Sequence, residues 1–303
     1  MPSMSQSTAR IPAIVSSKPA EAEILAASVA LITVEGMAIL VTGATGNIGR
    51  RVVDHLIELG AKDIRALIRN PRKADLPDGV TAITGYLGAP ESLPAALDGV
   101  ERMYLAPLPA TLDTTLEMVK SAKVDYVVAL SGAGDWQEHA DKVTASGLTH
   151  TQLGPGEFTD NFTIWADQIR TTRTVRDPYP SVVEAPISMD DIARVAATLL
   201  VDPDDAHHGK MYPITGPVAL TRAQIAEQVG VGVGVAVACE QCSRADGEAA
   251  LRPAMGEYAR WYLDEIAKGI DRPQQANALV AELTGTPAES VAQWAARNAA
   301  VFG

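Results

Sequence analysis

Val41-Thr42-Gly43-Ala44-Thr45-Gly46-Asn47-Ile48-Gly49 decides how this chain folds. The run ahead of it, Ala38-Ile39-Leu40-Val41-Thr42, is short and apolar, as a buried parallel strand requires. Behind it, Arg50 to Leu59 repeats apolar residues at helical spacing and stops at Gly60. Strand, glycine turn and helix in this order are the setting of a dinucleotide site. The glycines allow a tight turn and close backbone approach, and the helix start offers unpaired N–H groups to a pyrophosphate. Gly43, Thr45, Gly46, Asn47, Ile48 and Gly49 are therefore the expected cofactor-binding residues.

The second strand, Ile64 to Ile68, says which dinucleotide. An acidic residue about 20 positions past the glycines would accept hydrogen bonds from the ribose hydroxyls of NAD. That place holds Arg69, followed by Asn70-Pro71-Arg72-Lys73, with no Asp or Glu in the turn. A guanidinium suits a 2′-phosphate, offering a planar fork of donors and a fixed charge. NADP(H) is the expected cofactor.

Beyond Ile68 the chain alternates as a doubly wound parallel sheet with crossover helices does. Val80 to Thr84, Glu101 to Leu105, Val124 to Leu130 and Thr149 to Leu153 read as strands. Glu91 to Leu97, Ala110 to Ala122 and Asp135 to Ala145 read as the helices between them. The fold class is α/β, with a dinucleotide-binding core at 37–153 and a smaller, substrate-binding C-terminal lobe at 154–303. Segments between about 183 and 217 return to the core. Gly230 to Cys242 reads as a possible edge strand, and Pro253 to Phe302 as two or three helices. Residues 1–36 form an N-terminal arm outside this pattern, either a helix packing on the domain or a second subunit, or the product of an upstream start before Met37.

With 303 residues, 47% of them apolar, the chain can bury a substantial core. A formal net charge of −12 argues against nucleic acid as a partner, and no apolar run has the roughly 18 residues that span a bilayer. A cytoplasmic monomer or homodimer acting on a small molecule is expected. Cys239 and Cys242 are the only cysteines, too few for a zinc site, and no metal is expected.

The glycine motif and Ile68-Arg69-Asn70-Pro71 resemble the NmrA-like group of atypical short-chain dehydrogenases/reductases. Leu130-Ser131-Gly132-Ala133, Ser146 to Phe158, Ile187 to Ala193, Tyr212 to Pro217 and Trp294 to Phe302 fit the same group, so the resemblance spans about Met37 to Phe302. It implies a Rossmann fold and NADP(H), in a group that holds both reductases and non-catalytic nucleotide-sensing regulators. Ala106, after the fourth strand, is then expected to border the cofactor through its backbone. Where relatives carry an Asp that contacts adenine, this chain has Tyr86.

Better-known short-chain dehydrogenases donate a proton from a Tyr with Lys four residues later. None of the 7 tyrosines here has Lys at that place. The resemblance leaves Ser131 near the substrate carbonyl as a hydroxyl donor to the developing alkoxide. On the next helix, His139 is the candidate proton relay and Lys142 the candidate ribose ligand, with Glu138 one turn away to pair with it. Trp136, Phe158, Asn161, Phe162 and Trp165 are the expected substrate contacts. Such a pocket suits a flat aromatic substrate that needs little acid catalysis. The resulting expectation is an NADPH-dependent ketoreductase of polyketide-type ketones, as in secondary metabolism and antibiotic biosynthesis, or a quinone reductase. A non-catalytic NADP(H) sensor acting on a protein partner is the alternative.

Overall fold

The computed structural model describes residues 36–132, 136–202 and 204–303. The expected arm at 1–36, apart from Gly36, lies outside these residues, as does the Ala133-Gly134-Asp135 segment. Eleven strands among the described residues are numbered in chain order: β1 Ala38–Val41, β2 Asp63–Ile68, β3 Val80–Thr84, β4 Arg102–Leu105, β5 Tyr126–Leu130, β6 His150–Leu153, β7 Thr174–Asp177, β8 Val183–Glu184, β9 Met211–Tyr212, β10 Leu220–Thr221 and β11 Ala238–Gln241. Seven form a central sheet in the order β3-β2-β1-β4-β5-β6-β9, every pairing parallel. The chain reverses direction across the sheet between β1 and β4, and in such folds the ligand crevice opens at the carboxyl ends of the strands flanking that point.

Crossover helices cover both faces. On one lie α1 Asn47–Glu58 and, after α2 Pro94–Leu97, α3 Leu112–Ser121, α4 Gln137–Ala145 and α5 Ala166–Thr172, the long α6 Met189–Val201. Val52, Val53 and Leu56 of α1 meet Ile192, Val195, Ala196 and Leu199 of α6 in one buried layer. Leu97, Leu116, Val119 and Val143 of α2, α3 and α4 build the other layer. Ser188 starts α6 by accepting from the Asp191 N–H at 3.1 Å. The C-terminal lobe adds α7 Arg222–Val233, α8 Arg244–Met255, α9 Tyr258–Lys268, α10 Leu279–Thr284, α11 Val291–Arg297 and α12 Ala299–Phe302, with its own core around Trp165 and Trp294.

Two expectations are corrected here. Gly230 to Val233 is the last turn of α7, closed by Gly234 at φ +77°, and only Ala238–Gln241 is strand. The glycines serve packing: a Cβ on Gly232 would sit 2.3 Å from the Ala292 carbonyl oxygen of α11. The tail holds four helices beyond Met255 because Gly269, Gly285 and Asn298 cap successive short segments. No helix among the described residues is long and apolar enough to cross a membrane.

Candidate functional site

Thr42 ties the glycine turn to the sheet, its hydroxyl donating to the Tyr104 carbonyl at 2.9 Å and accepting from the Ala106 N–H at 2.8 Å. The turn that follows has no room for a side chain at Gly43 or Gly49. Gly43 sits at φ +61° with Ala106 3.0 Å from where its Cβ would be, and a Cβ on Gly49 would lie 2.2 Å from the Gly43 carbonyl oxygen. That carbonyl already accepts from the Gly46 N–H at 2.8 Å. Gly46 caps α1 without a side chain, and the first turn carries no acidic residue. Thr45, Gly46 and Asn47 are exposed, Ile48 is half-buried and Gly49 is buried. The amino end of α1 is thus open, positively polarised and reachable by backbone, which fits a pyrophosphate.

Arg69 follows β2 on the same edge, exposed and without an ion pair among the described residues. Its guanidinium carbon lies 4.9 Å from the centroid of the Tyr86 ring. Asn70 caps the turn behind it by accepting from the Arg72 N–H at 3.2 Å. The structure offers a charged fork braced on an aromatic face at the place expected for an adenosine 2′-phosphate.

At the end of β5, Ser131, His139 and Gln152 make a buried chain whose donors can be assigned in order. Gln152 Nε2 donates to the Ala140 carbonyl at 3.2 Å and to Thr144 Oγ1 at 2.9 Å, so its Oε1 faces Ser131 as an acceptor. Ser131 therefore spends its proton on Gln152 Oε1 at 2.7 Å. Its Oγ can then only accept from His139 Nδ1, 3.0 Å away. His139 carries its proton on Nδ1, and its buried Nε2 has no partner among the described residues. Burial, aided by Lys142, pulls the His139 pKa below its ordinary value, so the ring is neutral near pH 7. The structure brings Ser131 and His139 together but commits the serine proton within the protein. Lys142 stands apart, in ion pairs with Asp113 at 3.0 Å and Glu138 at 3.2 Å.

A cleft of about 860 Å³ opens beyond this chain, bordered by Pro109 after β4, Trp136 after β5, and Glu157, Phe158 and Asn161 after β6. Its far wall comes from β8 and α9, including Glu184 and Tyr262. Phe162 and Trp165 do not reach it. They are fully buried and stacked on each other, ring centroids 4.8 Å apart, in the core of the lobe. Their faces cover the guanidinium of Arg222, which lies 6.0 and 5.1 Å from the two rings and is itself inaccessible. Arg222 Nε donates to Asp177 at 2.8 Å and Nη1 to Glu184 at 3.0 Å. Glu157 Oε1 accepts from Asn161 at 2.9 Å and from the Tyr262 hydroxyl at 3.3 Å. Burial raises the Glu157 pKa, and it pushes Glu184 up to about 7.

Sequence reasoning passed over Glu157, Arg222, Asp177, Glu184 and Tyr262. Glu157 alone left a trace, an acidic residue wedged between a Gly-Pro-Gly turn and Phe158. Cys239 and Cys242 are free thiols; burial pushes Cys239 up to about 11, away from reactive thiolate character. Among the described residues no cluster of His, Cys, Asp or Glu could hold a metal ion.

An open helix start beside a glycine turn, at the switch point of a parallel sheet, above a sizeable cleft, defines a dinucleotide-dependent oxidoreductase. A family model described as NAD(P)H-binding matches residues 43–138. An NAD(P)H azoreductase of Xenophilus azovorans is 32% identical over 293 residues, covering 88% of this chain and 99% of that protein. A (4-alkanoyl-5-oxo-2,5-dihydrofuran-3-yl)methyl phosphate reductase of Streptomyces griseus is 29% identical, covering 87% of this chain and 99% of that protein. The NADPH complex of an NADPH-dependent quinone oxidoreductase from Escherichia coli aligns at TM-score 0.76 and 24% identity, over 86% of this chain and 99% of that one. The chain belongs to the NmrA-like group of atypical short-chain dehydrogenases/reductases. It is an NAD(P)H-dependent reductase.

Proposed function

We propose that this reductase uses NADPH to reduce a flat conjugated acceptor, an aromatic polyketide-type ketone or a quinone. The cleft at the carboxyl ends of β4, β5 and β6 carries the reading: about 860 Å³, with apolar walls from Trp136, Phe158, Ile164, Val182 and Trp261 and polar groups such as Glu157, Asn161 and Tyr262 at one side. That volume and lining suit a ring system of drug size. The relatives' names point the same way, since an azo group, a quinone and an unsaturated oxo-dihydrofuran are all electron-poor π systems.

Bound NADP(H) supplies the hydride. The chain's own residues do the rest. Gly43 to Gly49 would hold the pyrophosphate through backbone N–H groups, Arg69 and Tyr86 would hold the 2′-phosphate end, and Ala106 closes the turn. Ser131, locked between Gln152 and His139, stiffens the end of β5 ahead of Trp136. Trp136 and Phe158 grip the acceptor by its faces and exclude water, so positioning supplies most of the rate.

Oxidation of NADPH followed against a panel of naphthoquinones, aryl azo dyes and polycyclic hydroxyketones tests the proposal. Steady turnover with at least one of them is the expected result. Tight NADPH binding with no turnover across the panel would leave the sensor reading in its place.

A further inference from the structure

We propose that Glu157 is the proton donor to the reduced substrate, with the buried Arg222 cluster holding it in its protonated form. The proposal rests on the reductase reading above and names the acid that reading lacks. The Ser131 hydroxyl is engaged in donating to Gln152, His139 is neutral with its Nδ1–H donating to Ser131, and Lys142 is tied into ion pairs on the surface. Glu157 is different. It lines the cleft, its Oε1 is fixed by Asn161 and Tyr262, and its Oε2 has no hydrogen-bond partner among the described residues.

Charge balance explains why it keeps its proton. Asp177, Glu184 and Glu157 surround the one guanidinium hydrogen-bonded within the cluster, that of Arg222, in surroundings closed by Phe162, Trp165 and Tyr262. Three ionised carboxylates against one buried cation, two of them fully buried and Glu157 half-buried at the cleft, would leave a net negative charge largely out of water, which is costly, so the cluster retains protons. Asp177 and Glu184 are bonded directly to the cation, whereas Glu157 meets only its field. The other charged groups at the cleft are Glu265 and Lys268 of α9 and Arg272 beyond it.

The acceptor takes an electron pair and a hydrogen nucleus as hydride from the reduced nicotinamide. The Oε2–H bond of Glu157 breaks while an O–H or N–H bond forms on the acceptor, and the electrons of the broken bond stay on the carboxylate. Water entering the cleft then reprotonates Glu157.

The test uses the full chain and its Glu157→Gln and Glu157→Asp variants. Infrared spectra of the cofactor-free protein at pH 7 should show protonated-carboxyl carbonyl intensity, one part from Glu184 and one from Glu157, of which Glu157→Gln removes the Glu157 part and Glu157→Asp keeps it. NADPH should bind all three proteins alike by fluorescence titration. On the best acceptor of the wild type, Glu157→Gln should slow turnover at pH 6 by about 10²-fold, the lower range for a positioned general acid, and abolish its decline at alkaline pH. Glu157→Asp should recover part of the rate. A wild-type spectrum from which Glu157→Gln removes nothing, or a Glu157→Gln variant with wild-type rate and an unchanged pH profile, overturns the proton donor alone. Wild-type protein that reduces no acceptor overturns the reductase reading itself.

Discussion

The Arg69 guanidinium and the Tyr86 ring face each other, 4.9 Å from carbon to centroid, across the ends of β2 and β3. The Tyr86 ring also packs over Gly88, which fixes its place, so the pair is a preformed cationic shelf beside the nucleotide turn. Arg69→Ala should weaken NADPH binding by roughly 1.5–3 kcal/mol, the worth of a charge-assisted contact, and leave NADH nearly unchanged. Tyr86→Ala should cost less, about 0.5–1 kcal/mol. Calorimetric titration with both nucleotides checks this, and equal losses for the two would remove Arg69 from 2′-phosphate recognition.

Gly49 faces the tightest contact of the nucleotide turn. Its missing Cβ leaves room for the Gly43 carbonyl, which a methyl group would approach to 2.2 Å. Gly49→Ala must therefore push α1 away from β1, at about 1–3 kcal/mol of stability as for other overpacked sites. It should also misplace the α1 N–H groups. A lower melting temperature together with lost NADPH binding is the expected result, and a variant that melts and binds normally would show that the turn tolerates the shift.

The sheet was legible because its central strands β1, β5 and β6 are fully buried and its glycine turn has few alternative uses. Val80 to Thr84 is predicted and observed with the same ends. The C-terminal lobe was harder for a physical reason. Gly230 and Gly232 look like strand or loop breakers, yet they sit in a helix because α11 and the chain after α7 press against them. The site divides in the same way. Arg69 announces itself by local spacing, whereas Arg222 reaches Asp177 and Glu184 from 45 and 38 residues away, and no local pattern records that meeting. Phe162 and Trp165 were read as substrate contacts from their aromaticity and their place behind the Gly154-Pro155 turn; the buried guanidinium they enclose gives them another use.

Arg222 should be among the costliest residues to change in the lobe. Arg222→Met keeps the volume but leaves Asp177 and Glu184 buried without their cation, a loss of roughly 3–5 kcal/mol. Chemical denaturation should show it directly. A companion Asp177→Asn/Glu184→Gln background should make the same Arg222→Met change much cheaper, because the stranded charges are gone. An Arg222→Met cost that is small in both backgrounds would mean that the ion pairs contribute little to folding.

Ser131→Ala and Lys142→Ala should behave in opposite ways. Ser131→Ala strands Gln152 Oε1 and His139 Nδ1 inside the protein, which costs about 1–3 kcal/mol per buried unsatisfied group. Turnover should nevertheless persist, since the serine proton was already committed. Lys142→Ala removes two surface ion pairs and should leave melting and turnover almost unchanged. A loss of turnover beyond about 10²-fold in either variant, with NADPH still bound, would return that residue to the chemistry.

Stability should fall as pH rises through the range where the buried carboxyls ionise. Glu184 titrates near 7 in the fold, against an ordinary 4.5, because burial penalises its charge more than Arg222 relieves it. A group that holds its proton more tightly when folded contributes fully below its unfolded pKa, and that contribution disappears as pH climbs through the folded value. The window for Glu184 is therefore about pH 4.5 to 7, and Glu157, raised by the same cause, acts in the same direction. His55 adds to the trend: its hydrogen bond to Asp190, 3.3 Å across from α1 to α6, raises its pKa, so its contribution also fades upward from 6.5. Comparing variants separates them. The unfolding free energy of Glu184→Gln should decline less steeply between pH 5 and 8 than that of the wild type, by on the order of 1–3 kcal/mol across the window. His55→Gln should alter only the part above about pH 6.5. Parallel stability curves for wild type and Glu184→Gln would mean that Glu184 titrates alike in the folded and unfolded chain.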